Sequence, residues 1–220
     1  RMGADRPKQY LALSGKTILE HTLDNLLGHP LITGAVVILH PQDEYWSQLA
    51  YQHEKPLLIA HGGEQRHHSV YHGLQLLQEQ LQADCYALIH DAVRPFVRHR
   101  DLDRLIQALG EAEDGALLAA PVADTLKLAN RRQQVERTVS REGLWRAFTP
   151  QAFRLQLIIQ ALEQVLENNL QVTDDASAME LAGYQPYLVE SDSLNIKITH
   201  PDDLEIALSL LTREDRSTPS

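Results

Sequence analysis

The chain has 220 residues, enough for one sizeable hydrophobic core, and we expect a single domain over residues 1–220. Apolar residues make up 43% and charged residues 23% of the chain, an ordinary balance for a globular protein, and no apolar run is long enough to predict a membrane span. With 20 basic and 30 acidic residues, the net charge of −10 argues against a general binder of nucleic acid or anionic membranes. The single cysteine, Cys85, cannot form an internal disulfide, and the polar start does not resemble a signal peptide, so we expect a cytoplasmic protein.

Short apolar segments alternate with amphipathic ones through the first half of the chain. Thr17 and Glu20 have the spacing of a helix capping box, and the run AVVIL at Ala35–Leu39 is typical of a strand covered on both faces. In chain order we predict a helix over 17–27, a strand over Ala35–Leu39, a helix over 43–51, a strand over 57–60, a helix over 69–81, a strand over 86–90, a helix over 101–112 and a strand over 115–121. This alternation predicts a parallel α/β sheet with helices on both faces.

The pattern changes at residue 124. Two short alternating segments, 125–129 and 134–139, flank the turn-forming Asn130 and predict a hairpin that is too polar for a core. Such a projecting hairpin packs on another subunit in many proteins, and we assign residues 123–147 to a β-arm for dimerisation. After it we predict helices over 154–168 and from Asp174, strands near 187–189 and 196–198, a last helix with Pro201 in its first turn, and a polar end over 213–220.

Ligands of open parallel sheets bind beyond the carboxyl ends of the strands, where four polar clusters of this sequence lie. Arg1 and Lys8 could clamp a phosphate or be solvated, and Gly62-Gly63 leading to Ser69 could bind an anion or form an ordinary turn with a Ser cap. Asp91, in HDAVRP after a predicted strand, could hold Mg²⁺ beside phosphate oxygens or simply form a turn. The fourth cluster spans residues 195–199.

Other motifs are weaker. The chain contains no Walker A, G-x-G-x-x-G or G-x-S-x-G motif, which weakens the P-loop, dinucleotide and serine-hydrolase hypotheses. His68 and His72 have a spacing that can chelate zinc, but no Glu lies between them and no Cys is near, so solvated histidines are favoured. Basic residues of the hairpin could be solvated or could deliver charge to an anionic substrate across a subunit interface.

Seven segments, taken together and in order, resemble a known enzyme family over about the whole chain. They are RMGADRPKQY, GGEQRHHSV, HDAVRP, APVADTLK, TVSREGLWRAFTPQAF, TDDASAMELAG and NIKIT. They resemble the 2-C-methyl-D-erythritol 4-phosphate cytidylyltransferases of the non-mevalonate isoprenoid pathway. The resemblance implies a Rossmann-like, mostly parallel sheet with a protruding β-arm that embraces a second subunit in a homodimer. It also implies a reaction with Mg²⁺ in which CTP and methylerythritol phosphate are joined and pyrophosphate is released.

The resemblance also implies roles for individual residues. Arg1 and Lys8 would hold the CTP phosphates, Gly62, Gly63 and Ser69 would line the cytidine pocket, Asp91 would contact Mg²⁺ or the substrate diol, and Ala92 would contact the ribose region. Arg94, Thr125, Arg141, Thr149 and Lys197 would surround methylerythritol phosphate, with Thr125, Arg141 and Arg94 arriving from the partner subunit. The catalytic roles are electrostatic and fall to Arg1, Lys8, Arg141 and Lys197.

The sequence also departs from the family pattern. The family normally opens with an apolar strand and an Ala-Ala-Gly-x-Gly loop before the position of Arg1; neither is in this chain, and we expect the natural protein to continue upstream. Val93 stands where Ala is frequent, Ser140 where Asp is common, and Asp175 where Glu is usual. None of these changes removes a charge that the implied chemistry needs.

Two alternatives stay open. A ribitol 5-phosphate cytidylyltransferase shares the nucleotide-side motifs, although residues 173–178 and Gly143-Leu144-Trp145 favour the methylerythritol enzyme. A non-catalytic nucleotide-binding dimer would bind CTP without releasing pyrophosphate.

Overall fold

The computed structural model describes residues 6–81 and 85–214. The strands are β1 (Ala12–Leu13), β2 (Lys16–Thr17), β3 (Ala35–Leu39), β4 (Leu57–His61), β5 (Tyr86–Ile89), β6 (Ala116–Pro121), β7 (Leu126–Ala129), β8 (Val135–Val139), β9 (Trp145–Arg154) and β10 (Tyr187–Glu190). The helices are α1 (Ile18–Leu27), α2 (Trp46–Leu49), α3 (Arg66–Gln80), α4 (His99–Ala108), α5 (Leu155–Glu167), α6 (Asp175–Leu181) and α7 (Pro201–Glu214), with a 3₁₀ turn at Lys8–Tyr10.

The central sheet has the strand order β10-β6-β9-β5. Strands β6 and β10 are parallel, whereas β9 is antiparallel to both β5 and β6, so β5, β6 and β10 run in one direction. Strands β3 and β4 form a separate parallel pair. The predicted mixed α/β fold with a mostly parallel sheet is therefore confirmed.

Helices cover both faces of the sheet. On one face, α3, α5 and α6 bury side chains such as Leu74, Leu162 and Met179 against Phe153 of β9. On the other face, α4 packs Leu102 and Leu105 against β6 and β10. Apolar positions spaced along each helix produce these two layers, as the periodicity predicts.

Strand β9 is the main element that the sequence analysis missed. Its ten residues include Pro150, which lacks an N–H and argues against a central strand. The pairing register of β9 with β6 shifts between Leu117 and Ala119 of β6. Three residues of β9, 148–150, therefore lie opposite the single β6 residue Leu118. This bulge removes Thr149 and Pro150 from the regular ladder with β6 and places them beside the end of β5.

Three other predictions need correction. The helix predicted over 43–51 is only Trp46–Leu49. It starts late because the Asp43 carboxylate accepts hydrogen bonds from the backbone N–H groups of Tyr45 and Trp46. It ends early because Ala50 adopts the left-handed conformation at φ +47°. Residues 196–198 form no strand, since Ile198 makes a single backbone bond to Val93. Helix α3 starts three residues before Ser69, which therefore is not its cap.

The hairpin of β7 and β8 is confirmed at the predicted place.

Within the part of the chain that the structure describes, none of the helices combines the length and apolar character needed to cross a membrane. Arg1 and residues 215–220 lie outside the described residues, so their predicted roles are not addressed by the fold.

Candidate active site

A single carboxylate surrounded by cations lies at the carboxyl end of β5. Asp91 Oδ2 accepts from Arg94 Nε at 3.1 Å and from Lys197 Nζ at 3.0 Å. Burial alone would raise the pKa of the Asp91 carboxyl, but Lys197 and Arg94 outweigh it and hold that pKa below its usual value. Asp91 is therefore ionised at neutral pH, and three of the predicted site residues are in direct contact.

The irregular segment 195–199 brings two more predicted groups to this place. Lys8 Nζ donates to the Thr199 carbonyl at 2.6 Å, which ties the start of the chain to the residues just after Lys197. Arg94 Nη1 donates to the Asn195 carbonyl at 2.7 Å. The contacts gather the cations of Lys8, Arg94 and Lys197 around one short segment.

Thr149, in the β9 bulge, fixes the turn that carries Asp91. Its Oγ1 accepts from the Asp91 backbone N–H at 3.0 Å and lies 3.1 Å from His90 Nδ1. Burial lowers the pKa of His90 to about 4, so the ring is neutral at pH 7. Since His90 Nε2 faces the Arg94 carbonyl at 2.9 Å, Nε2 carries the proton and the Thr149 hydroxyl donates to Nδ1. Ala92, exposed beside Asp91, is anchored through its carbonyl by the Thr22 hydroxyl at 3.0 Å.

The glycine loop, residues 62–65, lies between β4 and α3. Gly63 N–H donates to Ser69 Oγ at 3.0 Å, and Gly62 N–H donates to the Leu39 carbonyl at 2.7 Å. A Cβ on Gly62 would meet Ser69 Oγ at 2.8 Å, and one on Gly63 would meet His68 Cβ at 2.5 Å. Gly63 therefore needs glycine, a side chain at Gly62 would displace the Ser69 hydroxyl, and this hydroxyl stabilises the loop through its bond with Gly63.

Arg66 and Asp175 form an ion pair that the sequence analysis did not identify. The two guanidinium nitrogens of Arg66 donate to the two carboxylate oxygens at 2.8 and 2.6 Å. Only 1% of the Asp175 side chain is exposed. No local signal could have found this pair, because its members are 109 positions apart.

Thr125 and Arg141 lie on the arm, where both are exposed. Arg141 Nη1 donates to the Ala123 carbonyl, and among the described residues neither side chain is bonded to the Asp91 cluster. Arg94 does not lie where the sequence analysis expects it. Its guanidinium is bound by Asp91 and Asn195 of its own chain, so it belongs to the Asp91 cluster of that chain and is not expected from the partner subunit.

The residues fit a Mg²⁺ ion that is completed by phosphate oxygens. Magnesium sites in nucleotide-processing proteins need only one or two carboxylates besides phosphates. Asp91 Oδ2 is engaged by Lys197 and Arg94, whereas Oδ1 has no hydrogen bond within residues 6–81 and 85–214. The described residues hold no group of three or more His, Cys, Asp or Glu that could bind a metal by themselves.

Comparison with known proteins identifies the family. The family model for 2-C-methyl-D-erythritol 4-phosphate cytidylyltransferase matches residues 1–213. The chain belongs to this family. It is therefore a cytidylyltransferase of the nucleotidyltransferase class, as the order of the motifs predicts.

Relatives and solved structures agree with this family. The enzyme of that name from Vibrio vulnificus strain YJ016 is 46% identical over 97% of this chain and 90% of its own length. The one from Pseudomonas putida strain GB-1 is 47% identical over 93% and 88%. The crystal structure of the Francisella tularensis cytidylyltransferase superposes with a TM-score of 0.83 at 37% identity, covering 92% of both chains. A 4-diphosphocytidyl-2C-methyl-D-erythritol synthase has a TM-score of 0.85 at 37% identity, covering 93% of this chain and 94% of its own.

Proposed function

We propose that this cytidylyltransferase joins CTP and 2-C-methyl-D-erythritol 4-phosphate, forming 4-diphosphocytidyl-2-C-methylerythritol and pyrophosphate. The observation that carries the proposal is the group of cations at the carboxyl end of β5: Arg94 and Lys197 bind the ionised Asp91, and Lys8 binds the Thr199 carbonyl two residues after Lys197. The match to the family over residues 1–213 supports the choice of substrates.

Charge is the main obstacle to this reaction. A phosphate oxygen of methylerythritol phosphate attacks the α-phosphorus of CTP, a new P–O bond forms, and the bond to the β-phosphate breaks so that pyrophosphate leaves with the electron pair. The attacking phosphate is already ionised near neutral pH and needs no general base. Lys8, Arg94 and Lys197 offset the repulsion between the anions and stabilise the charge that develops on the transferring phosphoryl group.

Each side of the reaction has its own residues. The glycine loop with Ser69 would hold cytidine, Ala92 would face the ribose, and Lys8 with Arg1 would hold the triphosphate. Arg94, Thr149 and Lys197 would hold the substrate phosphate and its carbon chain. Asp91 would hold Mg²⁺ through its open oxygen, and the ion would supply further positive charge to the phosphates.

The arm supports a homodimer in which the partner completes the site. Leu128, Val135, Leu144 and Trp145 on the arm are between 37% and 63% exposed, an apolar surface that a second copy would cover. Thr125 and Arg141 lie on the same arm and would reach the substrate site of the partner.

The single cysteine, Cys85, supports a reducing compartment, and we place the reaction in the cytoplasm.

Pyrophosphate release tests the proposed function. The purified protein would be supplied with CTP and Mg²⁺ and with either methylerythritol phosphate or ribitol 5-phosphate. We expect release with methylerythritol phosphate alone. Release only with ribitol 5-phosphate would overturn the substrate assignment, and CTP binding without release from either would favour a non-catalytic nucleotide-binding dimer.

A further inference from the structure

The Arg66–Asp175 pair links two parts of the site that are distant in sequence. On one side, Arg66 is the first residue of α3, directly after the glycine loop and within the turn that contains Ser69. On the other side, Asp175 is the first residue of α6. The pair therefore joins the nucleotide side of the proposed site to a second helix on the same face of the sheet.

Hydrogen bonds continue the link from α6 to Asp91. Gln151 Nε2 donates to Asp174 Oδ2 at 2.8 Å, and Gln151 Oε1 accepts from the Ala176 N–H at 2.8 Å. Gln151 follows the β9 bulge, where Thr149 accepts from the Asp91 N–H. Hydrogen bonds and short stretches of chain thus connect the glycine loop, through Arg66, the start of α6 and Gln151, to the Asp91 turn.

The form of the pair suits positioning more than stability. The pair adds little net stability, because the buried Asp175 carboxylate loses its hydration while the Arg66 side chain stays 40% exposed and partly solvated. A two-point arginine–carboxylate contact, however, fixes distance and orientation in a way that a lysine does not.

We propose that Arg66 and Asp175 are a positioning pair that holds the glycine loop against the Thr149–Asp91 half of the site. CTP bound at the loop then presents its α-phosphorus at the correct distance from the substrate phosphate. This inference rests on the proposed function, since it assigns the loop to the nucleotide.

Four variants test the pair. R66K keeps the charge and loses the two-point contact. R66M/D175N removes both charges, so its melting temperature should exceed that of R66M alone, which leaves the buried Asp175 carboxylate without its partner. R104K is the matched control: Arg104 also pairs with a fully buried carboxylate, that of Asp101, while half of its own side chain is exposed.

The readouts are steady-state kinetics, CTP affinity by calorimetry and melting temperature. We expect R66K to raise the KM and Kd for CTP roughly tenfold and to lower kcat, with little change in the KM for methylerythritol phosphate or in Tm. R66M/D175N should keep the weak CTP affinity although its Tm recovers, and R104K should match the wild type.

Two results would overturn the pair's role. One is R66K with wild-type kinetics and CTP affinity; the other is CTP affinity in R66M/D175N that returns together with Tm. A wild-type protein that releases no pyrophosphate would count against the proposed function instead, and the CTP affinities of wild type and R66K would still decide whether the pair positions the loop.

Discussion

At the scale of single residues, Lys8 is the sharpest test of catalysis by positive charge. Its ammonium donates one hydrogen bond to Thr199 and has two more protons for phosphate oxygens. Lys8→Ala should lower kcat for pyrophosphate release by at least ~100-fold, the effect of one preorganised charge-stabilising group. Lys16→Ala is the control, because Lys16 pairs with Asp24 at the surface, and it should keep full activity. A Lys8 variant as active as the wild type would remove Lys8 from the mechanism.

Asp101 predicts a pH dependence of stability. Burial alone would raise the pKa of its carboxyl, but Arg104, the Asp192 N–H and the Ser191 hydroxyl together hold that pKa below its usual 3.8. Because the folded pKa is the lower one, the ionised carboxylate stabilises the fold above pH 3.8, and this stabilisation is lost as the pH falls through the folded pKa.

The Asp101→Asn variant tests this dependence. It should lower the free energy of unfolding by about 2 kcal/mol at pH 7, since hydrogen bonds to a charged acceptor are lost. The deficit relative to the wild type should shrink below about pH 4 in urea titrations, because protonation removes the same contribution from the wild type. Asp202→Asn, at the exposed start of α7, serves as the control. A deficit that is constant with pH would contradict the argument.

At the scale of elements, α1 shows how a local signal sets a helix boundary. Thr17 Oγ1 accepts from the Glu20 N–H at 3.2 Å, and Glu20 Oε2 accepts from the Thr17 N–H at 2.7 Å. Thr17→Ala should cost about 1 kcal/mol of unfolding free energy with an unchanged denaturant slope, as loss of an N-cap does. Thr33→Ala in an exposed connection should cost nothing measurable, and equal stability of both variants would argue against the capping role.

At the scale of the whole molecule, the dimer proposal predicts complementation between two inactive variants. If the partner supplies Arg141, a mixed dimer of Lys8→Ala and Arg141→Ala subunits contains one site with both groups intact. Random re-association of equal amounts places half of the molecules in mixed dimers, which should restore about a quarter of wild-type activity. Mixtures that stay inactive after confirmed subunit exchange would show that Arg141 acts within its own chain.

Much of this protein could be predicted from the sequence because the signals are local. The capping box of Thr17 and Glu20, the run at Ala35–Leu39 and the turn at Asn130 each involve neighbours along the chain, and the structure confirms the elements they predict. The order of the motifs likewise identified the family and the candidate residues Asp91 and Lys197.

Only the tertiary structure decided which distant groups meet. Strand β9 was missed because Pro150 is unfavourable in a regular ladder, and it forms because β5 and β6 pair with both of its edges. The segment 195–199 lacks strand pairing yet is held by Lys8 and Arg94, and Arg66 meets Asp175 across 109 positions. Such contacts depend on how sheet and helices pack, and periodicity along the chain carries no information about them.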